Sequence, residues 1–516
     1  MCSLVDSPFP PEEGLITLFE VNGELVTAPC GETDVSKHSP VLQGLTFPKV
    51  TLAADTLSSL ATDEDPKSAF LPCDTHLSLW KKAWYACKEH GICGMLDELA
   101  NRRSEAPWMI TAISCRSLAA IRCANSMHGS LYPHLVLPNE EMVSVFSPTC
   151  NWQESQIRAL AWHQHTNKCA IAWKDDVVKV FTANSKVVPT LKHRIQHSIA
   201  DMAWKPLAAS VLAIACQSCL LIWHIDPASN STRPSANCVQ VLSVAGHGPI
   251  TSIAWDPRGR MLVSASPSDT AIQVWDVPRE SCMALRRSGG GGVTFLRWSA
   301  DSTKLFAATP SHMFRVWETQ TWTCEKWTGL SGRCQAACWS PDSTVLLFCT
   351  NQEAVIFALR FKEMSDINDG TQNAVNCADL SQVFLQNKER EIRVGGLIQD
   401  MQWDPTGERL AVLFKHGNNT VNHLVALFNT RIHPVLQLIP SGFIRGEPDE
   451  IPQLISFQPN FQHGALLTVG WHTGRVSFIP LIFMAAKTIN DDDRKIEQER
   501  LQSIQLFSHL QSRLSY

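Results

Sequence analysis

Few residues of this 516-residue chain have the types and spacing that a reaction would need. The run Gly289–Gly292 is glycine-rich, as phosphate-binding loops are. Val293 and Thr294 follow it in place of the Lys-Ser/Thr pair that holds phosphate and a metal ion. The sequence therefore predicts a loop that connects two strands at this position, and no nucleotide site.

Cys216 and Cys219 form a lone Cys-x-x-Cys inside an apolar run that is typical of a strand. On a continuous strand, an offset of three residues places two side chains on opposite faces, which opposes a zinc site and a redox pair alike. There is no second Cys-x-x-Cys, no Gly-x-Ser-x-Gly and no His-Glu-x-x-His. We therefore predict no catalytic residue, no metal, no cofactor and no enzymatic activity.

A short pattern repeats seven times between residues 157 and 482. An aromatic residue ends an apolar run, a turn follows in most copies, and a second aromatic residue lies about twenty residues later. Successive first aromatics are 41 to 64 residues apart. We interpret ten of these aromatics as structural anchors of the repeat: Trp162, Trp204, Trp255, Trp298, Trp339, Trp403, Phe457, Trp223, Trp275 and Trp317.

The repeat predicts the fold. A period of about 40 to 45 residues that ends in Trp-Asp is the WD-repeat pattern, in which each copy is a four-stranded blade. Only the third copy is nearly complete, from Gly246-His247 to Trp275-Asp276. The apolar runs are short and rich in β-branched and aromatic residues, as strands are. We therefore predict an all-β fold, a seven-bladed WD-repeat β-propeller. In such blades, we expect His193, His197 and His247 to form hydrogen bonds within their own blade.

The flanking segments differ from the repeat. We predict a hairpin and flexible linker over residues 1–74, a helical segment over 75–145, the propeller over 146–482, and a tail with an amphipathic helix over 483–516. The helical segment either shields one face of the ring or docks a partner. The seventh copy supplies three strands up to Pro480, so a segment near the N-terminus should complete its blade: Met142–Phe146 or an arm of the hairpin Ile16–Thr27.

Composition narrows the functional classes. The net charge is −5 and no long basic block is present, so we expect no direct binding of nucleic acid. The longest apolar run, Val476–Ala486, contains Pro480 and is too short to cross a bilayer, and the first residues do not form a secretory signal. We expect no direct membrane insertion. The eighteen cysteines favour reduced thiols in a cytosolic or nuclear protein.

Several strings resemble one family closely. They include Ala209–Cys219, Ser231–Ser235, Phe314–Glu318, Gly332–Gln335 and Gly446–Pro448. In these strings the chain resembles the WD-repeat nucleoporins of the nuclear pore complex. The tail lacks the proline-rich ending of the family. The resemblance implies a non-enzymatic scaffold at the nuclear envelope and the nuclear pore complex, which acts in nucleocytoplasmic transport. It implies a transmembrane nucleoporin of the pore membrane and other nuclear pore proteins as partners, and a mitotic role in spindle assembly at spindle poles and the centrosome.

Two alternatives come from other functional classes. A WD-repeat substrate receptor of a ubiquitin ligase would carry Trp-Asp-x-Arg at a blade end, and the chain has Trp275–Arg279, which is one residue longer. A propeller hydrolase would need carboxylates or histidines that converge on the central channel, and buried carboxylates there would favour it.

Overall fold

The computed structural model describes residues 2–31, 109, 116–117 and 133–483, except 184, 186, 227–231, 288, 290, 362–373, 388–389 and 416–422. The described chain forms a seven-bladed β-propeller, as predicted. The predicted linker, most of the predicted helical segment, the insertion at 362–373 and the C-terminal helix lie outside the described residues, and the four domain boundaries stay predictions.

Blades 1 to 4 each contain four antiparallel strands in chain order. Blade 1 consists of β4 (Ile157–Trp162), β5 (Lys168–Trp173), β6 (Val178–Thr182) and β7 (Thr190–Leu191). Blade 2 consists of β8 (Asp201–Trp204), β9 (Val211–Ala215), β10 (Leu220–His224) and β11 (Val239–Leu242). Blade 3 consists of β12 (Ser252–Trp255), β13 (Leu262–Ala265), β14 (Ala271–Asp276) and β15 (Ser281–Arg286). Blade 4 consists of β16 (Leu296–Trp298), β17 (Lys304–Ala308), β18 (Met313–Glu318) and β19 (Thr323–Thr328).

Blades 5 and 7 also include strands from the start of the chain. Blade 5 consists of β20 (Cys334–Trp339), β21 (Val345–Thr350), β22 (Val355–Arg360), β23 (Val375–Asp379) and β1 (Cys2–Ser3). Blade 6 consists of β26 (Ile398–Trp403), β27 (Arg409–Phe414), β28 (Leu424–Arg431) and β29 (Gln437–Arg445). Blade 7 consists of β30 (Pro452–Gln458), β31 (Gly464–Trp471), β32 (Val476–Ile482), β2 (Leu15–Val21) and β3 (Glu24–Pro29).

The remaining elements are short. A separate hairpin of β24 (Val383–Asn387) and β25 (Arg390–Val394) lies between blades 5 and 6 in the chain. Helix α1 spans Asn139–Phe146, and 3-10 turns span Leu4–Asp6, Pro133–Val136, Ala236–Cys238 and Val277–Arg279. The glycine-rich run falls between β15 and β16, so the prediction of a connecting loop is confirmed. Gly292 has φ +135, and a Cβ there would meet the Pro267 carbonyl oxygen.

Burial follows the position of each strand in its blade. Middle strands such as β21 are buried along their whole length, because both faces of a blade pack against neighbouring blades. The outer strand β15 is exposed at most positions, since it lies at the rim. Clusters of buried apolar side chains join blades 1 and 2, 2 and 3, 3 and 4, 4 and 5, 5 and 6, and 6 and 7. Blade-to-blade burial is thus what holds the ring together.

The ring closes between blades 7 and 1. The innermost strands contact one another in sequence from β4 around to β30, and β30 contacts β4. Trp162 of blade 1 donates a hydrogen bond from Nε1 to the Thr468 hydroxyl of blade 7 over 3.0 Å. The Trp162 ring also meets the edge of Phe478, with 5.8 Å between ring centroids. The Gln458 amide reaches Asn167 over 2.8 Å.

The N-terminal hairpin completes blade 7, so one of the two predicted closing segments is confirmed. Strand β2 pairs in parallel with β32, with Glu20 opposite Leu481 and Val21 opposite Ile482. The turn of the hairpin is the predicted Asn-Gly pair, with φ 52 at Asn22 and φ 95 at Gly23. The other candidate segment belongs to helix α1. The expectation that the pattern ends at Pro480 is wrong, since β32 continues to Ile482 and Pro480 stands opposite Leu466.

A buried ion pair fastens this hairpin to blade 6. Glu20 has no exposed side-chain surface and Arg409 keeps 7%. The Arg409 Nη2 and Nε atoms both donate to Glu20 Oε1, over 2.6 and 3.0 Å. The guanidinium also lies 4.3 Å from the centre of the Phe483 ring. Residues 2–31 are therefore structurally part of the ring.

Candidate functional site

The anchor tryptophans link neighbouring blades through one repeated contact. In blades 2 to 5, the indole Nε1 at the end of the innermost strand donates to a backbone carbonyl of the preceding blade. The acceptor is each time the residue just before the preceding anchor. The four bonds are Trp204 to Ala161 (3.1 Å), Trp255 to Ala203 (3.2 Å), Trp298 to Ala254 (3.4 Å) and Trp339 to Arg297 (3.1 Å). The repeat spacing seen in the sequence thus corresponds to a chain of hydrogen bonds around half of the ring.

The other first aromatics use different partners. Trp162 donates to Thr468 of blade 7, as described above. Trp403 donates to the Thr430 hydroxyl of its own blade over 3.0 Å. Phe457 has no donor and packs in the apolar cluster between blades 6 and 7. The repeated indole bond is therefore replaced where the sequence intervals are longest.

The three second aromatics that are tryptophans lie deep within their blades. Trp223 has 0% exposure, and Trp275 and Trp317 have 2% each. In blade 3, Trp275 Nε1 donates to the Ser264 hydroxyl over 2.9 Å, and that oxygen lies 2.8 Å from His247 Nε2. The second ring nitrogen of His247 lies 2.8 Å from an Asp269 carboxylate oxygen. The prediction that His247 forms hydrogen bonds within its own blade is confirmed.

The same prediction is wrong for His197. Its ring lies 3.8 Å from the Asp176 carboxylate of blade 1, and its side chain is largely exposed. The His193 ring nitrogen accepts only from the nearby Ile195 N–H, over 3.4 Å. Gln196, between these histidines, accepts from Trp223 Nε1 over 3.2 Å. In blade 2 the indole thus bonds directly to an amide, whereas in blade 3 the Ser264 hydroxyl stands between the indole and His247.

A cavity of about 370 Å³ lies at the ends of the innermost strands of blades 1 to 4. Trp162, Trp204, Trp255 and Trp298 line it, together with the intervening Ala161, Ala203 and Ala254. Its volume falls in the usual range for ligand sites, and aromatic walls are common in such sites. The cavity can accept an apolar side chain or a short segment of another chain.

A second and much smaller cavity lies at the other end of these strands. Asp201, Arg297 and Asp400 line it, and its volume is about 10 Å³, enough for one water molecule. The Asp201 carboxylate accepts from the Ile253 N–H over 3.0 Å and from the Ser252 hydroxyl over 3.2 Å, both in blade 3. The Asp400 carboxylate accepts from the Met401 N–H and the Gln402 amide. Sequence reasoning missed this charge cluster because its members come from three distant blades.

Two buried carboxylates beside an arginine meet the condition set above for a hydrolase. Their surroundings argue against that use. The cavity has no room for a substrate, and each carboxylate already accepts two or more hydrogen bonds from the ring. The arrangement is suited to joining the inner strands of blades 2 and 3 and balancing charge within the channel.

A segment that we call the channel plug, residues 145–152, crosses this end of the ring. Phe146 and Pro148 line the small cavity. Arg333 of blade 5 donates to the Val145 carbonyl over 2.8 Å, and its guanidinium lies 4.7 Å from the centre of the Phe146 ring. Burial lowers the pKa of Arg333 to about 10.

The channel plug also contacts four other blades. Its hydrogen bonds reach Gln399 of blade 6, Gln453 at the start of blade 7, Arg158 of blade 1, and Ile199 just before blade 2. Sequence analysis assigned this segment only to the boundary of the propeller. Its side chains carry no distinctive motif, so no local signal could have identified the role.

The pH dependence of stability tests the charge cluster. Burial raises the pKa of Asp400 from 3.8 to about 6, while Arg297 opposes the shift. The folded state therefore binds this proton more tightly than the unfolded state, and stability from this group is lost as pH rises from about 4 to about 6. Asp400→Asn cannot ionise. Between pH 4 and 7, we expect the free energy of unfolding of the wild type to fall by roughly 3 kcal/mol relative to that of this variant.

Urea unfolding of both proteins at several pH values measures that difference. Asp276→Asn, at a partly exposed carboxylate on the rim, is the matched control and should show a small change. If the free energies of unfolding of the wild type and of Asp400→Asn differ by the same amount at every pH from 4 to 7, the raised pKa of Asp400 is contradicted.

The cysteine pair differs from its predicted arrangement. Cys216 and Cys219 are not on one continuous strand, because the chain turns at Gln217 and Ser218 between β9 and β10. The Cys216 N–H donates to the Cys219 carbonyl over 3.0 Å, and both side chains join the cluster between blades 1 and 2. The prediction of opposite faces is therefore wrong.

No group of three or more His, Cys, Asp or Glu side chains among the described residues is arranged to hold a metal ion. No helix in the described part of the chain is long and apolar enough to cross a membrane.

Comparison with known proteins identifies the family. The model of the aladin seven-bladed propeller matches residues 138–482, which include every described strand from β4 to β32. Aladin of Arabidopsis thaliana is 29% identical over 354 residues, 64% of this chain and 77% of its own length. Transducin beta-like protein 3 of Bos taurus is 23% identical over 125 residues, 24% of this chain and 14% of its own.

A solved structure is also similar. The Cps50 (Swd1) β-propeller domain of Myceliophteria thermophila is 16% identical, with a TM-score of 0.47 over 63% of this chain and 96% of that one. The assignment rests instead on the family model, which covers every strand of the ring except the N-terminal β1, β2 and β3, and it agrees with the resemblance found in the sequence. The chain belongs to the aladin family of seven-bladed propellers.

Proposed function

We propose that this chain is a non-enzymatic scaffold of the nuclear pore complex that a transmembrane nucleoporin holds at the nuclear envelope. The observation that carries the proposal is the match of the aladin family model to residues 138–482, which contribute strands to all seven blades. A ring of blades with a rigid core presents broad surfaces for other proteins. In this role the chain supports nucleocytoplasmic transport, including that of mRNA, and spindle assembly in mitosis.

The form of the molecule supports a scaffold in two ways. Its buried polar groups, such as Glu20 with Arg409 and Asp201 with Ser252, connect parts of the ring. Its larger cavity is lined by the tryptophans that join the blades. Both features favour a rigid platform for protein contacts.

Membrane association in this proposal comes from protein contact alone. With a net charge of −5, the chain has little electrostatic attraction to anionic lipid. To test this point, the purified full chain is floated with protein-free vesicles and, in parallel, with vesicles that carry nuclear-envelope proteins. We expect flotation only with the second set. Flotation with protein-free vesicles would contradict the proposal.

The ubiquitin-ligase alternative rests on Trp275–Arg279. In the structure, Asp276 ends β14 and Arg279 lies in the 3-10 turn that follows, with 3.3 Å between Arg279 Nη1 and Asp276 Oδ2. The Arg279 guanidinium thus has its charged partner, Asp276, within the same exposed turn. Purification of the tagged chain from cells distinguishes the two functions, since nuclear pore proteins should copurify and ligase adaptors should not.

A further inference from the structure

Cys216 and Cys219 face each other across the tightest turn of blade 2. The register of β9 and β10 sets Ala215 opposite Leu220, and the Cys216 N–H bonds to the Cys219 carbonyl one step further toward the turn. Residues directly opposite on antiparallel strands point to the same face of the sheet. The two thiols therefore lie side by side.

The distance suits a disulfide. In a hydrogen-bonded pair of antiparallel strands, the opposite Cα atoms are about 5.5 Å apart. Disulfides span Cα separations of about 4.4 to 6.8 Å. The backbone separation expected for this pair therefore lies within the range that disulfides span.

The two sulfurs are chemically unequal. A hydrogen bond from Cys216 lowers the pKa of the Cys219 thiol, and one from Ser218 adds to the effect while burial opposes it. The same bond between the thiols, together with burial, raises the pKa of Cys216. Cys219 keeps 3% exposure beside the exposed Ser218, whereas Cys216 has none. One thiol can thus act as the attacking thiolate and the other as its resolving partner.

We propose that Cys216 and Cys219 form a peroxide-sensitive dithiol that closes to a disulfide across the β9–β10 turn. The Cys219 thiolate attacks hydrogen peroxide, the O–O bond breaks, and Cys219 becomes a sulfenic acid. The hydroxide that leaves takes up the proton that Cys219 released on ionisation and becomes the first water. The Cys216 sulfur then forms the S–S bond and displaces the hydroxyl group, which takes the Cys216 proton and leaves as the second water. The dithiol loses two electrons and the peroxide gains them.

A second cysteine pair provides an internal control. Cys334 and Cys349 of blade 5 both point at the Ala336 carbonyl oxygen, with sulfur–oxygen distances of 3.6 and 3.7 Å. Burial raises the pKa of both thiols, and Cys349 has no exposed surface. The Cys334 and Cys349 thiols lie close together, but burial disfavours the thiolate form of both. We therefore expect this pair to resist oxidation by peroxide.

The test uses the full, reduced wild-type chain. After timed exposure to hydrogen peroxide, free thiols are alkylated in denaturant and peptides are analysed by mass spectrometry. The peptide with Cys216 and Cys219 should become lighter by two hydrogen atoms and lose alkylation, and dithiothreitol should reverse the change. Its conversion should be at least about tenfold faster than that of the peptide with Cys334 and Cys349.

A variant separates the two steps. In Cys216→Ser, Cys219 should still become a sulfenic acid that dimedone traps, but no disulfide peptide should form. If this variant fails to fold, the wild-type comparison still decides. The proposal is overturned if Cys216 and Cys219 of the wild type are both still free to be alkylated after a peroxide treatment that oxidises the solvent-exposed Cys282. It is also overturned if the two cysteine pairs oxidise at the same rate.

Discussion

Replacing Glu20 by alanine should lower the free energy of unfolding by about 3–5 kcal/mol, because the variant leaves the Arg409 charge buried without its partner. Arg409 is 7% exposed, and the carboxylate accepts hydrogen bonds from both its Nε and its Nη2 atoms. In the wild type, the Glu20–Arg409 ion pair also connects the N-terminal hairpin to blade 6. We therefore expect the hairpin to detach from β32 before the rest of the ring unfolds.

A double variant serves as the control for this effect. Glu20→Met combined with Arg409→Met removes both charges and keeps the volume, so its stability should be close to that of the wild type. Urea unfolding gives the free energies, and hydrogen exchange of residues 15–29 reports detachment of the hairpin. Equal stability of Glu20→Ala and the wild type, with unchanged exchange in the hairpin, would show that this ion pair does not fasten the ring.

Trp223→Ala should be similarly damaging, at about 3–5 kcal/mol. Its indole has 0% exposure within the cluster between blades 1 and 2, and its Nε1 donates to Gln196. Truncation leaves a cavity and also an unpaired amide oxygen on Gln196, which is 2% exposed. Thermal unfolding should show a much lower melting temperature.

Comparison variants separate packing from hydrogen bonding at this position. Trp223→Phe keeps most of the packing and loses only the donor, so it should cost about 1–3 kcal/mol. Trp298→Ala should cost less than Trp223→Ala, because Trp298 is only partly buried in the channel mouth. A larger loss for Trp298→Ala than for Trp223→Ala would contradict this ranking of the anchors.

The sequence predicted the ring because its period is local. Each blade repeats an aromatic residue near the end of the innermost strand, and Trp204 and Trp255 then form the same indole bond in successive blades. The Asn22-Gly23 turn predicted a hairpin for an equally local reason. Patterns within about twenty residues therefore determined the fold class and the hairpin.

Features that depend on distant residues were predictable only in part. The missing strand of the seventh copy predicted that one of two N-terminal segments completes blade 7, but the choice of the hairpin and the parallel register of β2 on β32, more than 450 residues away, are not encoded in either strand. The cluster of Asp201, Arg297 and Asp400 likewise forms only when the ring closes. The error at Cys216 and Cys219 has another cause: Gln217-Ser218 is not one of the glycine-containing pairs that mark two-residue hairpin turns, so the apolar run predicts one continuous strand.

The most direct test of the central claim is the position of the tagged full-length chain in interphase cells before and after removal of the transmembrane nucleoporins of the pore membrane. We expect a nuclear rim that disappears on removal, while the chain moves to the cytosol with an unchanged melting temperature. A rim that persists after removal, or no rim at the outset, would contradict a scaffold held at the nuclear envelope by protein contact.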